Sequence, residues 1–223
     1  MFRLLTGFLF LFIIGGFVCA QQPHVLPVVL KNGTLTSEAS LLHNNAHGAA
    51  WQSARFGNTY YVVLQLEKIA GTREIAELSA RGIVLAHYLS GNHYLATCKP
   101  DILDHLKSLG VKNIYVLSPS LKVASSLQNG LLQQGALDYI AVSCFPGDKS
   151  PMTQALRACG ADIVETKIKP ANTFFVRASS AAIEKMARLA FVISLSPIHL
   201  EDVPLNYNSH ALHAVQSLNS GYG

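Results

Sequence analysis

Charge is scarce in this chain. Only 13% of its 223 residues are Asp, Glu, Lys or Arg, and the formal net charge of +4 comes from scattered Lys and Arg. No basic block stands out, so the electrostatic footprint of a nucleic-acid binder is missing. Cysteine is scarce too. Beyond residue 20 only Cys98, Cys144 and Cys159 remain, an odd count at irregular spacing that does not make a disulfide framework. Each lies within or beside an apolar strand or helix face and reads as a small buried hydrophobe, with one disulfide left open. The chain also lacks a phosphate-binding glycine loop, a His-Glu-x-x-His pair, a Cys-x-x-Cys pair and a Gly-x-Ser-x-Gly elbow. No catalytic, cofactor-binding or metal-ligating residue is assigned.

Apolar residues, in contrast, make up half of the chain, enough to bury a sizeable core. The first 20 residues read as a signal peptide: Arg3 supplies the positive region, Phe8 to Val18 the apolar core, and Val18-Cys19-Ala20 the cleavage site. Lipidation at Cys19 is the poorer reading, because bulky Val18 precedes it. A secreted or periplasmic protein is expected, without a membrane anchor after cleavage.

A pattern that occurs twice organises the remainder. Tyr61 and Tyr139, Gly82 and Gly160, and Leu117-Ser118-Pro119 and Leu195-Ser196-Pro197 each stand 78 residues apart. An Asn-aromatic strand (Asn92-His93-Tyr94-Leu95, then Asn172-Thr173-Phe174-Phe175) follows each glycine, two residues later in the second copy. Each copy reads strand, helix, strand, strand, helix, strand. The expected fold class is α+β, two tandem ferredoxin-like βαββαβ domains over 59–119 and 138–197. An adapter occupies 21–58, a Ser/Gln/Gly linker 120–137 and a tail 198–223.

Local signals refine this reading. Val25 to Leu30 reads as a strand that Pro27 confines to a sheet edge, and Asn32-Gly33 as a tight turn. Asn32-Gly33-Thr34 also matches a glycosylation acceptor, a weak three-residue signal. His43, His47 and Trp51 fall in a loop or short helix. In the first copy Thr72 caps a helix whose Ile75 and Leu78 face the core. A second helix from Pro100 buries Ile102, Leu103, Leu106 and Leu109, and Ile114 to Leu117 forms the last strand. In the second copy Ser150 and Ser180 are the expected caps, and Ile163 to Ile168 and Phe191 to Leu195 the second and fourth strands. Ser209 to Leu218 reads as a short tail helix with Leu212, Val215 and Leu218 on one side.

Few residues suggest chemistry. His210 and His213, three apart, lack a third metal ligand and read as solvent-exposed. His87 and His93 read as cross-strand neighbours at a sheet surface. A nucleophilic Cys144 or Cys159 would need a base and an electropositive setting that no motif supplies. Tyr94, Phe174 and Phe175 are candidates for a binding face, set against the more ordinary reading of aromatic packing.

The leader, the βαββαβ units and the tail ending in Ser220-Gly221-Tyr222-Gly223 resemble the N-terminal prodomain region of secreted bacterial subtilisin-like (S8 family) serine peptidases, and fervidolysin-like prodomains in particular. Tyr60-Tyr61-Val62-Val63-Leu64-Gln65-Leu66, Gly82-Ile83-Val84-Leu85, Asn92-His93-Tyr94-Leu95-Ala96 and Ala211-Leu212-His213-Ala214-Val215 carry the resemblance. The family's Asp-Thr/Ser-Gly, His-Gly-Thr and Gly-Thr-Ser motifs are absent, and His47-Gly48-Ala49 is a near miss without partners, so no triad residue is carried over. The resemblance implies a non-enzymatic chain that assists folding of a peptidase catalytic domain in cis or in trans and inhibits it. The second repeat and residues 198–223 would make the contact. The alternatives are a tandem ACT-like module binding a small ligand between its domains and a free-standing secreted peptidase inhibitor. An Asp-Thr-Gly in a continuing reading frame would select the prodomain over the inhibitor.

Overall fold

The computed structural model of the chain describes residues 28–30, 33–35, 41, 48–128, 138–166 and 171–198. The leader, His43, His47, much of the linker and the tail with His210 and His213 lie outside the described residues. The chain's first described elements are strands β1 (Val28–Leu30) and β2 (Gly33–Leu35), an antiparallel hairpin in which Leu30 pairs with Gly33; Asn32 of the expected turn lies outside the described residues. A side chain at Gly33 would collide with Leu121, so the turn approaches a distant segment closely. Helix α1 (Ala49–Ser53) buries Trp51, whose ring meets Tyr60 edge-on at 5.5 Å. Strand β3 (Arg55–Phe56) turns at Gly57, φ 60°, and pairs with β4 (Thr59–Leu66). The expected adapter thus adds a strand to the first sheet.

The first βαββαβ unit comprises β4, helix α2 (Thr72–Ala80), β5 (Ile83–Ser90), β6 (His93–Cys98), two 3-10 turns (Pro100–His105 and Lys107–Leu109) and β7 (Val111–Tyr115). Its antiparallel sheet runs β7-β4-β6-β5, with β3 on the same flank of β4 as β7. The second unit comprises β8 (Asp138–Cys144), α5 (Lys149–Ala158), β9 (Asp162–Val164), β10 (Thr173–Ala178), α6 (Ser180–Ala187) and β11 (Val192–Pro197). Its order, β11-β8-β10-β9, is also fourth-first-third-second, the ferredoxin-like arrangement. The repeat extends to individual bonds. Leu66 donates its N–H to the Asn92 carbonyl at 2.9 Å, and Cys144 donates to Asn172 at 2.7 Å, so the repeated asparagine closes the end of the first strand in both copies. Gly82 and Gly160 both take left-handed φ (86° and 93°), the conformation that ends α2 and α5 without the steric cost a Cβ would add.

Several local expectations need correction. Gly71, not Thr72, precedes α2 as its cap residue. Ile75 is 41% exposed rather than core-facing, and Leu78 is the buried side chain of α2. The segment after Pro100 winds as 3-10 turns. Only Leu106 is fully buried there, with Ile102, Leu103 and Leu109 packed at the core's margin. The last strand begins at Val111, directly after Gly110. In the second unit Asp148 caps α5 by accepting from Ser150 N–H at 2.9 Å, and Ser179 caps α6 by accepting from Ala182 N–H at 3.4 Å. Each cap lies before the expected serine because its oxygen must reach an N–H two or three residues ahead. Strand β9 ends at Val164, and the fourth strand begins at Val192.

Part of the expected linker is structured. Helices α3 (Pro119–Lys122) and α4 (Ser125–Gln128) flank a stretch in which Val123 bridges Leu195 in parallel and Ala124 N–H donates to Leu195 at 2.9 Å. The linker thereby covers the outer edge of β11. One apolar cluster runs through Tyr61, Val63, Leu95 and Tyr115 of the first unit, Leu117 and Leu127 of the connection, and Ile140, Phe145, Phe191 and Leu195 of the second. A separate cluster of Tyr60, Val62, Leu64, Leu78, Tyr94 and Ala96 fills the helix side of the first sheet.

Candidate docking face

Strand alternation gives each sheet a helix-covered face and an outer face. In the first unit the outer face carries Tyr61, Val63, Gln65, His93, Leu95 and Tyr115. The second unit covers it. Tyr61 meets the Phe145 ring edge-on at 5.3 Å and Phe191 at 6.5 Å, while Phe56 packs on Phe191 at 4.7 Å. Such edge-to-face pairs add roughly 0.5–1.5 kcal/mol each beyond the area they bury.

The matching face of the second unit has no such cover among the described residues. It carries Tyr139, Ala141 and Ser143 on β8, Thr173, Phe175 and Arg177 on β10, Val164 on β9, and Ser194 and Ser196 on β11, all half-buried. Exposed Asp162 stands opposite Arg177 on β9. Arg177 lays its guanidinium over the Tyr139 ring, 5.8 Å from the centroid, and its enclosed Nε finds no hydrogen-bond partner. Beyond β11 the Ile198 N–H donates to the Tyr139 carbonyl at 2.8 Å, which continues the β11–β8 pairing to the last described residue.

Of the three aromatic candidates, only Phe175 lies on the outer face. Tyr94 and Phe174 are buried on the helix sides. Tyr139, noted in the sequence only as a landmark of the repeat, and Arg177 complete the face; neither was a candidate for binding. Their signal is the alternation Tyr139-x-Ala141-x-Ser143 against Thr173-x-Phe175-x-Arg177.

His87 and His93 are not cross-strand neighbours at a surface. Two bulges in β5 place His87 opposite Leu95 and Ser90 opposite His93. His87 is exposed, whereas His93 is only 3% exposed and bonds Ser90 through Nδ1 at 3.2 Å. Its Nε2 is buried without a partner, and burial holds its pKa below the usual value. Beside it, Gln65 receives the Asn113 amide at 2.6 Å and reaches Asn92 at 3.3 Å, a network that pairs the side-chain amides at the polar end of the first sheet's outer face.

The three thiols are unpaired. Burial pushes Cys98 and Cys144 up to about 12, and Cys159, half-buried, is also raised by burial. Cys98 and Cys144 are therefore protonated near neutral pH and fit the reading as small hydrophobes. Lys122, another residue the sequence did not single out, is 3% exposed and donates from Nζ to the Leu189 carbonyl at 2.7 Å. Burial pushes its amine down to about 8. The bond pins the linker to the turn between α6 and β11. Among the described residues no group of three metal-ligating side chains occurs, and no helix is long and apolar enough to cross a membrane.

Comparison with known proteins gives one family match. A family described as "Domain of unknown function (DUF8729)" matches residues 29–118, from the N-terminal hairpin through the last strand of the first unit. This is less than half of the chain, and the second unit with its outer face lies outside it. No curated protein and no solved structure matches the chain.

Proposed function

We propose that this chain is the docking and inhibitory region of a secreted subtilisin-like serine peptidase precursor, acting on a catalytic domain supplied in cis or in trans. One observation carries the reading: among the described residues one face of the second unit's four-stranded sheet is uncovered, and Ile198, the last of them, is bonded to Tyr139 of that sheet. The face docks on the peptidase, and residues 198–223 occupy the substrate cleft. Docking stabilises the folded peptidase by mass action, because it favours the native over the unfolded state. Blocking the cleft delays activity until the tail is cut. The chain itself performs no covalent step and needs no metal or cofactor for this role.

The ACT-like alternative places a small ligand between the two units. That contact is packed with Tyr61, Phe145 and Phe191. A cleft of 240 Å³ beside the β4–α2 connection and a groove of 380 Å³ between the linker helices and α6 both lie outside it. A free-standing inhibitor would use the same sheet face and differs only in where its peptidase is encoded.

The test is Ala141→Arg, which raises a long charged side chain at the centre of the face without disturbing the helix side. Inhibition of purified subtilisin-like peptidases by the chain should be lost. Unchanged inhibition by a folded variant refutes docking through this face.

A further inference from the structure

Resting on that docking reading, we infer that Arg177 selects the partner, and that the surface it meets presents a carboxylate. The two repeats supply an internal comparison. Tyr61 pairs with Thr97 across β4 and β6, and Tyr139, its counterpart, pairs with Arg177 across β8 and β10. The first unit's outer face, neutral at that position, meets the neutral rings of Phe145 and Phe191. The second unit's face keeps the tyrosine but replaces threonine by a guanidinium. A face altered in that way suits an acidic partner.

The local geometry agrees. Arg177 is the single cation on the face among the described residues; Tyr139 and Asp162 stand opposite it on β8 and β9, Phe175 lies two residues before it on β10, and hydroxyls (Ser143, Thr173, Ser194) occupy the far end of the face. Stacking on Tyr139 holds the planar group in place, which lowers the ordering cost of binding. Nε is already desolvated and unbonded, and the described residues offer no ion pair to Arg177; Asp162, its cross-strand neighbour, does not reach it. A carboxylate arriving on the face accepts from the guanidinium fork and removes that penalty. Docking would thereby discriminate by charge as well as shape, since an uncharged surface leaves the cation buried and unpaired.

The experiment titrates a panel of purified secreted subtilisin-like peptidases with the full chain at low and high salt. Wild type is compared with Arg177→Gln, Arg177→Lys and Arg177→Glu, and each fold is checked by a thermal melt. Arg177→Gln should weaken inhibition at low salt by about tenfold or more and remove its salt dependence. Arg177→Lys should keep the salt dependence with weaker inhibition, because a point charge cannot replace the fork. Arg177→Glu should weaken it furthest. Equal inhibition and equal salt dependence of wild type and Arg177→Gln would overturn the role of Arg177. The docking reading would survive if Ala141→Arg still abolished inhibition in the same assay. Absence of inhibition by wild type across the panel would overturn both.

Discussion

Replacing Phe191 by alanine should destabilise both units at once. Phe191 is fully buried, at 0% exposure, in the turn before β11, and its ring meets Phe56 at 4.7 Å and Tyr61 at 6.5 Å. The ring therefore belongs to the second unit by chain position and lies against the first. Removing it forfeits the transfer free energy of a phenyl group, leaves a cavity and deletes both edge contacts, a cost of about 3–5 kcal/mol. The single tryptophan of the chain, Trp51, gives a local probe of the first unit, because it is buried against Tyr60. With a urea dependence of about 2–3 kcal/mol per molar, the midpoint should fall by roughly 1–2 M. The assay is urea unfolding followed by Trp51 fluorescence and, in parallel, by far-ultraviolet circular dichroism. One shared core requires both curves to move together. A Trp51 transition that stays in place while the circular dichroism curve shifts would show that the units unfold separately, and would refute the argument from the shared cluster.

Other perturbations read the buried polar groups and the repeated turns. Lys122 has a folded pKa near 8, below its ordinary 10.5, so its own contribution to stability should rise with pH across that window, against the loss from Cys98 and Cys144, whose thiols burial holds up near 12. The contribution is up to roughly 3 kcal/mol, and Lys122→Met should remove it; an unchanged pH profile of the midpoint would contradict the assignment. His93 is likewise held below its ordinary 6.5 by burial, so stability should fall as pH drops below that value. His93→Gln should lessen the acid sensitivity in the same unfolding assay, and equal sensitivity would count against it. Gly160→Ala forces a Cβ into φ 93° and should cost about 1–2 kcal/mol in denaturant stability. No loss there would mean that the turn relaxes.

The repeat was legible because its landmarks serve the backbone. A left-handed glycine after a helix and an asparagine closing a strand are demanded by local geometry, and local geometry leaves marks at fixed spacing. The βαββαβ order of both copies followed from those marks. Shorter-range assignments failed where tertiary packing overrode pattern. The apolar spacing after Pro100 is compatible with an α-helix, yet the short path back to β7 at Val111 is spanned by 3-10 turns. The β5 bulges broke the His87–His93 pairing that a simple hairpin gives, and His93, on the covered outer face of the first sheet, is buried. Alternation in β8 and β10 contained the outer face, but not which of the two outer faces would be covered. That choice is made by Phe145 and Phe191, far from Tyr61 in sequence and adjacent to it in space.

The most direct test of the docking account is inhibition of purified subtilisin-like peptidases by the full chain, compared with a chain ending at Pro197. The account predicts tight inhibition by the full chain, with weaker inhibition once the tail is removed, because the sheet face still docks while the cleft stands open. Failure of both chains to bind any such peptidase would contradict it and turn the search toward a small-molecule ligand.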